Sequence, residues 1–315
     1  MRSTRTTTTK AKTTERVKTT RRKSEPRMGT LVDLYERVGD AHREFSCCDT
    51  TFVVEATGLR VNAAVSDARE TADSLEGQLN AFETTSAVSQ LNNEGTVTNR
   101  HVARIVRRGL EYFDRTDGVF DIHQGRVEHA LKAFLRGDSD SLPETFDTGT
   151  VQLDGDQVTT DVALDLNGLA KGYIVDRTAE TLASPGRRGF VSGGGDMSPP
   201  SGPVAIESPY GDDTPLKILE TDWHIATSGE YRRERNGTDH VYNPQAESLG
   251  SRHESVTVVA RRDCMEADAL ATTLAALPLA EAQTLADDWD GVEALVIHDG
   301  VFHPTNGFDA HVLDA

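Results

Sequence analysis

The chain has 315 residues, a 37% hydrophobic content and a formal net charge of −18. That supplies apolar matter for one large core or two small ones. No run approaches the roughly 18 apolar residues of a membrane helix, and Cys47, Cys48 and Cys264 are too few for a disulfide framework.

Charge is unevenly placed. Residues 1–27 carry ten Lys or Arg and two Glu, a net of +8, which leaves about −26 for the rest. Beyond Arg27 the lysines are Lys132, Lys171 and Lys217. An acidic, lysine-poor body stays hydrated where salt screens other repulsion, so a halophilic source is expected. It also repels phosphate backbones, so no nucleic acid is expected on the body. The basic head lacks apolar periodicity and is expected to be disordered. It reads either as a nucleic-acid-binding arm or as an upstream extension of a chain that starts at Met28, and the compositional break there favours the second. No apolar run follows Arg21-Arg22, so no signal peptide is expected and the cytoplasm is the expected compartment. The expected division is a disordered head and leader over 1–44 and one folded domain over 45–315.

In chain order, FSCCDTTFVVEATG (Phe45 to Gly58) has a β-rich centre at Thr50 to Val54 and a glycine stop. Apolar spacing at Ala68, Ala72, Leu75 and Leu79 predicts a helix over Ser66 to Ala81. A second helix is predicted over His101 to Phe113, with Val102, Ile105, Val106, Leu110 and Phe113 on one side. TVQLDGDQVTTDVA (Thr150 to Ala163) reads as a hairpin turning at Asp154-Gly155. Helices are predicted over Gly168 to Leu182 and Glu266 to Leu277, and strands over Ser255 to Ala260 and Val292 to His298. Strands and helices mix without regular βαβ alternation, which predicts an α+β fold of mixed or antiparallel sheets with packed helices.

Four segments carry chemistry. In LDLNGLAKGYIVD (Leu164 to Asp176), small residues at Gly168, Ala170 and Gly172 let backbone approach a ligand, and a helix start there suits phosphate. The bland alternative is an ordinary glycine-rich strand-to-helix turn. FVSGGGDM (Phe190 to Met197) offers backbone N–H groups to an anion or flat ring, or is simply a flexible turn. IATSGEYRR (Ile225 to Arg233) places a turn at Ser228-Gly229 and precedes HVYNP (His240 to Pro244), where His240 is a candidate base. In EADALATTL (Glu266 to Leu274), Asp268 and Thr272 share a helix face at i and i+4. They form either a hard-oxygen metal site or, in the bland reading, a helix cap at Asp268.

This ordered set resembles the ApbE flavin transferase family. FETTSAVSQLN (Phe82 to Asn92) resembles the family's S-x-F-x-x-x-S-x-V-S-x-L-N stretch, and TDGVFD (Thr116 to Asp121) its T-x-G-x-F-D. The likeness runs from about Phe45 to Ala294. It implies an ApbE-like α+β domain with a ligand cleft between two subdomains. It also implies Mg²⁺-dependent transfer of the FMN half of FAD onto a Thr or Ser hydroxyl of an acceptor flavoprotein, with release of AMP. FAD is then a substrate rather than a resident cofactor. The matching positions imply Asp268 and Thr272 as metal ligands, with the carbonyls of Gly168 and Ala271. Asp165, Lys171, Val119, Phe120 and Asp121 would contact FAD, Phe120 and Tyr242 would wall the flavin ring, and His240 would take the hydroxyl proton. Two departures stand out. Cys48-Asp49-Thr50 replaces the family's Met-Gly-Thr, so Cys48 takes the place of a flavin-touching Met; Met28-Gly29-Thr30 precedes no β-rich run. Asn243 replaces an Asp beside the candidate base. An FAD pyrophosphatase and a non-catalytic flavin-binding protein remain the alternatives.

Overall fold

A computed structural model of the chain describes residues 38–143, 145–211, 214–229, 235 and 238–313. The basic head, Met28-Gly29-Thr30 and the EYRR portion of the third segment (Glu230 to Arg233) lie outside the described residues.

The first two strands, β1 (Val38–Cys47) and β2 (Thr50–Leu59), form a hairpin. Its first strand begins ahead of Phe45, where no apolar alternation marks it. The two turn residues, Cys48 and Asp49, both take positive φ, 54° and 56°. Such a turn matches the right-handed twist of the strands and is normally served by Asn-Gly or Asp-Gly. Along β2, Phe52, Val54 and Ala56 are buried while their neighbours face outward, the period-2 pattern of a strand with one face on a core.

Helix α1 (Val61–Leu79) buries Ala64, Ala68, Ala72, Leu75 and Leu79 at three- and four-residue spacing. A short helix α2 (Ala87–Glu94) follows, capped by the Ser86 hydroxyl, and then β3 (Thr96–Thr98). Helix α3 (Arg100–Arg115) starts where the Asn99 side chain accepts from the N–H groups of His101 and Val102. Its buried stripe runs Val102, Ile105, Val106, Gly109, Tyr112, whereas Leu110 and Phe113 are half-buried on its flank. Helix α4 (Gly125–Arg136) and the hairpin β4 (Val151–Asp154) and β5 (Gln157–Thr160) complete this part, with strand order β3-β5-β4.

The remaining elements are α5 (Asn167–Leu182), β6 (Arg187–Gly193), β7 (Asp196–Met197), β8 (Val204–Ile206), β9 (Lys217–Leu219), β10 (His224–Gly229), β11 (Tyr242–Asn243), β12 (Ser248–Leu249), β13 (Ser255–Ala260), α6 (Cys264–Ala276), α7 (Leu279–Asp287), β14 (Val292–His298) and β15 (Val301–Pro304). Eight strands form one sheet in the order β1-β2-β6-β7-β10-β13-β14-β15, and every described pairing in it is antiparallel. The fold is α+β. Ser228 and Gly229 do not form the expected turn: they end β10, paired opposite Val256 and Ser255 in the antiparallel ladder with β13.

The central strands are buried on both faces. Val256, Val258 and Ala260 of β13 join the main core under the helices, while Val259, Ile225 and Leu295 meet a smaller core with Ile206, Leu219 and Phe308. Helix α6 is buried on all sides, so it shows no amphipathic stripe. It begins at Cys264, where Asp263 accepts from the Glu266 N–H, and Asp176 of α5 accepts from the N–H groups of Cys264 and Met265. Asp268 therefore caps nothing. Helices α5 and α6 pack at Gly172, where a Cβ would stand 2.6 Å from the Cys264 carbonyl oxygen. The smallness of Gly172 thus serves helix packing rather than ligand approach. Among the described residues no helix is long and apolar enough to cross a membrane.

Candidate active site

A cleft of about 250 Å³ opens between the eight-stranded sheet with α1, α5 and α6 and the smaller unit of α4 and the 119–121 loop. Its position follows from the fold: the β1–β2 turn, the end of α1, the start of α5, the end of β10 and one face of α6 converge on it. His240, Asp268, Cys48, Val119, Phe120 and Asp121 all line it. So do Asp165, Lys171, Tyr242, Gly168, Ala271 and Thr272. Residues spread from 48 to 272 in sequence thereby share one recess.

The charged floor is built from α5, α6 and the β6–β7 turn. Lys171 Nζ stands 3.0 Å from Asp196 Oδ2 and 3.6 Å from Asp268 Oδ1. Asp268 Oδ2 accepts from the Gly172 N–H at 3.0 Å. Burial pushes both carboxyls above the usual carboxylate range. Asp196 moves furthest, since Asp268's charge adds to its burial. On Lys171, burial favours the neutral amine, but the Asp196 and Asp268 charges outweigh it and hold the ammonium. Asp196 Oδ1 accepts no hydrogen bond among the described residues. Two buried carboxyls share one ammonium, so a divalent cation arriving here would favour the ionised form of both. The donors at hand fit a hard cation: the Asp268 carboxylate, the Thr272 hydroxyl and the nearby carbonyls of Gly168 and Ala271 are all oxygens. Thr272 Oγ1 donates to the Asp268 carbonyl at 3.3 Å, which keeps both groups on one face of α6.

The opposite wall is aromatic and held by buried polar links. Tyr242 donates its hydroxyl to Asp165 Oδ2 at 2.6 Å, while Asp165 Oδ1 accepts from the Asn167 N–H and side-chain amide, fixing the start of α5. Burial and then the Asp165 charge hold the Tyr242 hydroxyl protonated well beyond its ordinary range. Phe120 donates its N–H to Thr116 Oγ1 and packs edge-on to Tyr112. Both carboxylate oxygens of Asp121 are engaged within its own loop, accepting from His123 at 2.6 Å and Gln124 at 2.6 Å. The loop carrying His240 is pinned on both sides by Asp239, which accepts from the N–H groups of Val241 and Ser251. Asn243 is buried in a different role: its carbonyl accepts from Ala246 and its amide reaches the Ala276 carbonyl. It shapes the turn after β11 and does not line the cleft.

Several site residues were not singled out from the sequence. Asp196 sits in SGGGD, but nothing local distinguishes it from a turn residue; its burial beside Lys171 is a tertiary fact. Glu128 and Lys132 have the i, i+4 spacing of an ordinary solvated pair. In the fold they line the cleft, with Lys132 Nζ 2.6 Å from Glu128 Oε1 and lying over the Phe82 ring. Burial, and then the Asp165 charge, push the Glu128 carboxyl up to about 7.

Fold and cleft together define a class, an α+β protein whose recess sets a cation-seeking oxygen floor against an aromatic wall. The family follows from the sequence match: the chain belongs to the ApbE family, whose model matches residues 28–296. Among solved structures, the ApbE protein of Thermotoga maritima superposes with a TM-score of 0.75 at 20% identity, covering 87% of this chain and 99% of that one. The flavin transferase ApbE of Vibrio cholerae gives 0.70 at 20% identity over 87% and 99%. The apo form of the flavinyl transferase ApbE of Pseudomonas stutzeri gives 0.71 at 22% identity over 88% and 99%. At such identities the likeness speaks for the fold. No curated protein matches the sequence.

Proposed function

We propose that the protein is an Mg²⁺-dependent FAD:protein FMN transferase, joining FMN to a Thr or Ser hydroxyl of an acceptor flavoprotein and releasing AMP. One observation carries the reading: Lys171, Asp268 and Thr272 line one wall of a cleft, with Asp196 buried against Lys171, and the other wall is Phe120 and Tyr242. A flavin nucleotide has that polarity, a flat apolar ring joined to a pyrophosphate. Family membership and the names of the Vibrio and Pseudomonas structures point the same way.

In this reading Asp268, Thr272 and the carbonyls of Gly168 and Ala271 would hold Mg²⁺. An ion held by these residues would supply neutralisation of the pyrophosphate charge and of the charge gathering on the departing AMP. Lys171 contacts the phosphates; at the start of α5 the N–H groups of Asn167, Leu169 and Ala170 are bonded to Asp165 and Leu166, which leaves that of Gly168 for them. Cys48, Val119, Phe120, Asp121 and Tyr242 shape the flavin end, and Asp165 holds Tyr242 in place. His240 takes the proton of the acceptor hydroxyl as that oxygen bonds to the FMN phosphorus and the bond to the AMP oxygen breaks. The acidic, lysine-poor body supports work in high salt.

The test is AMP release from FAD with and without Mg²⁺, in high salt, with a threonine-bearing flavoprotein fragment whose mass is followed. Metal-dependent AMP release matched by FMN mass on the acceptor is expected. AMP without acceptor gain would assign a pyrophosphatase. FAD binding without AMP under any condition would leave a flavin-binding protein.

A further inference from the structure

Successive side chains in a strand point to opposite faces, so adjacent cysteines do not normally meet. At the tip of the β1–β2 hairpin they do. Cys48 adopts a left-handed φ of 54°, uncommon for a residue with a Cβ, and this brings Cys47 Sγ and Cys48 Sγ to 3.7 Å. Cys47 is buried beneath the turn, and Cys48 is half-buried and lines the cleft. Glu76, in the last turns of α1, accepts from the Cys48 N–H at 2.6 Å and brings its carboxylate onto the thiols. One ligand atom from each of Cys47, Cys48 and Glu76 lies within 4.8 Å of the other two. Two sulfurs each about 2.3 Å from a tetrahedral Zn²⁺ stand about 3.8 Å apart, so the thiol pair already has nearly the separation of one edge of a zinc tetrahedron.

We propose that Cys47, Cys48 and Glu76 form a thiophilic metal site at the mouth of the cleft that takes Zn²⁺ or a similar borderline-soft divalent cation. Binding forms two metal–sulfur bonds and one metal–oxygen bond and releases two thiol protons to solvent. Three protein ligands leave the fourth tetrahedral position to water or another donor, as in open zinc sites. The site differs in kind from the all-oxygen floor at Asp268: thiolate selects zinc over magnesium, whereas carboxylate, hydroxyl and carbonyl oxygens suit magnesium. Because Cys48 lines the cleft, an ion here and a flavin there compete for space; that clause alone rests on the proposed function.

The test uses the reduced, metal-free full chain and Co²⁺ as a spectroscopic probe. One thiolate-bound Co²⁺ per chain is expected, read from a sulfur-to-cobalt charge-transfer band that Zn²⁺ abolishes. Cys47→Ala and Cys48→Ala should each weaken Zn²⁺ binding by more than about 100-fold, beyond the effect of losing a supporting residue. Glu76→Gln keeps both thiols, so the band should persist at lower affinity. Cys264→Ala and Asp268→Ala should leave the band unchanged, and the thermal melt of each variant shows whether it folds. Absence of the band in folded wild-type protein would overturn the site, as would a band that survives both Cys47→Ala and Cys48→Ala. These readouts need no flavin, so they stand apart from the transferase assay. A second arm measures FAD binding with the site loaded: mutual exclusion supports the competition, and simultaneous binding overturns that part alone.

Discussion

Two carboxylates two residues apart on α6 have opposite fates. Glu266 and Asp268 are both buried, and burial pushes both carboxyls upward. Glu266 is surrounded by donors: Trp289 Nε1 at 3.2 Å, the Tyr112 hydroxyl at 3.3 Å and, at 3.6 Å, the Arg262 guanidinium, whose nearer partner is Glu111. Asp268 looks the other way, into the cleft, where it shares Lys171 with a second buried carboxyl. The first arrangement is closed: its charge is met, and it ties α6 to α3 and to the loop before β14. The second is open, with more acidic oxygen than donor. Burial alone therefore does not mark a functional carboxylate. What marks it is burial beside an unbalanced partner at a surface recess.

Several substitutions sharpen or break that contrast. The largest effect is expected for Asp268→Ala, which should lower FMN transfer by about 100-fold or more, followed as AMP release, while the thermal melt moves little. Glu266→Ala should do the reverse. It leaves Trp289 Nε1 and the Tyr112 hydroxyl without their acceptor and should destabilise the fold by about 2–4 kcal/mol in urea titration, with flavin affinity kept in the folded fraction. Equal loss of activity in both variants at matched folded fraction would break the contrast.

Glu128 tests the cleft by pH. Its carboxyl stands at about 7 in the fold against an ordinary 4.5, so the unfolded chain gives up its proton first as pH rises. Stability is therefore full below the ordinary value and falls as pH climbs toward 7, by on the order of 3 kcal/mol. Glu128→Gln should flatten this slope between about pH 5 and about pH 8, as read from melts across that range. An unchanged slope would move the titration elsewhere.

Smaller effects are expected at two packing positions. Gly172→Ala drives a Cβ against the Cys264 backbone and should destabilise by about 1–3 kcal/mol. Since Gly172 also donates to Asp268, weaker metal-dependent turnover should accompany the lower melting temperature. Asn243→Asp introduces the carboxylate expected there from the family resemblance but points it at the Ala276 carbonyl. About 1 kcal/mol of stability should be lost, with no gain in transfer rate.

The sequence determined what depends on local order. Periodicity found α1 and α3, alternation and Asp154-Gly155 found the β4–β5 hairpin, and the apolar runs found β13 and β14 to their ends. The motif set also named residues that now line one cleft, since small and polar residues at fixed offsets survive as a pattern when identity falls to 20%. Tertiary structure alone decided what each polar side chain faces. Nothing local separates Asp268 from Glu266, or marks Glu128–Lys132 as anything but a surface pair. Nor does the sequence show that Asn243 belongs to a turn, that Ser228 belongs to a strand, or that Cys47 and Cys48 meet. The physical reason is that burial and electrostatic balance belong to a place in space. That place is filled by chain segments as far apart as Cys48 and Thr272 of the cleft, 224 residues (272 − 48), and a one-dimensional pattern does not bring them together.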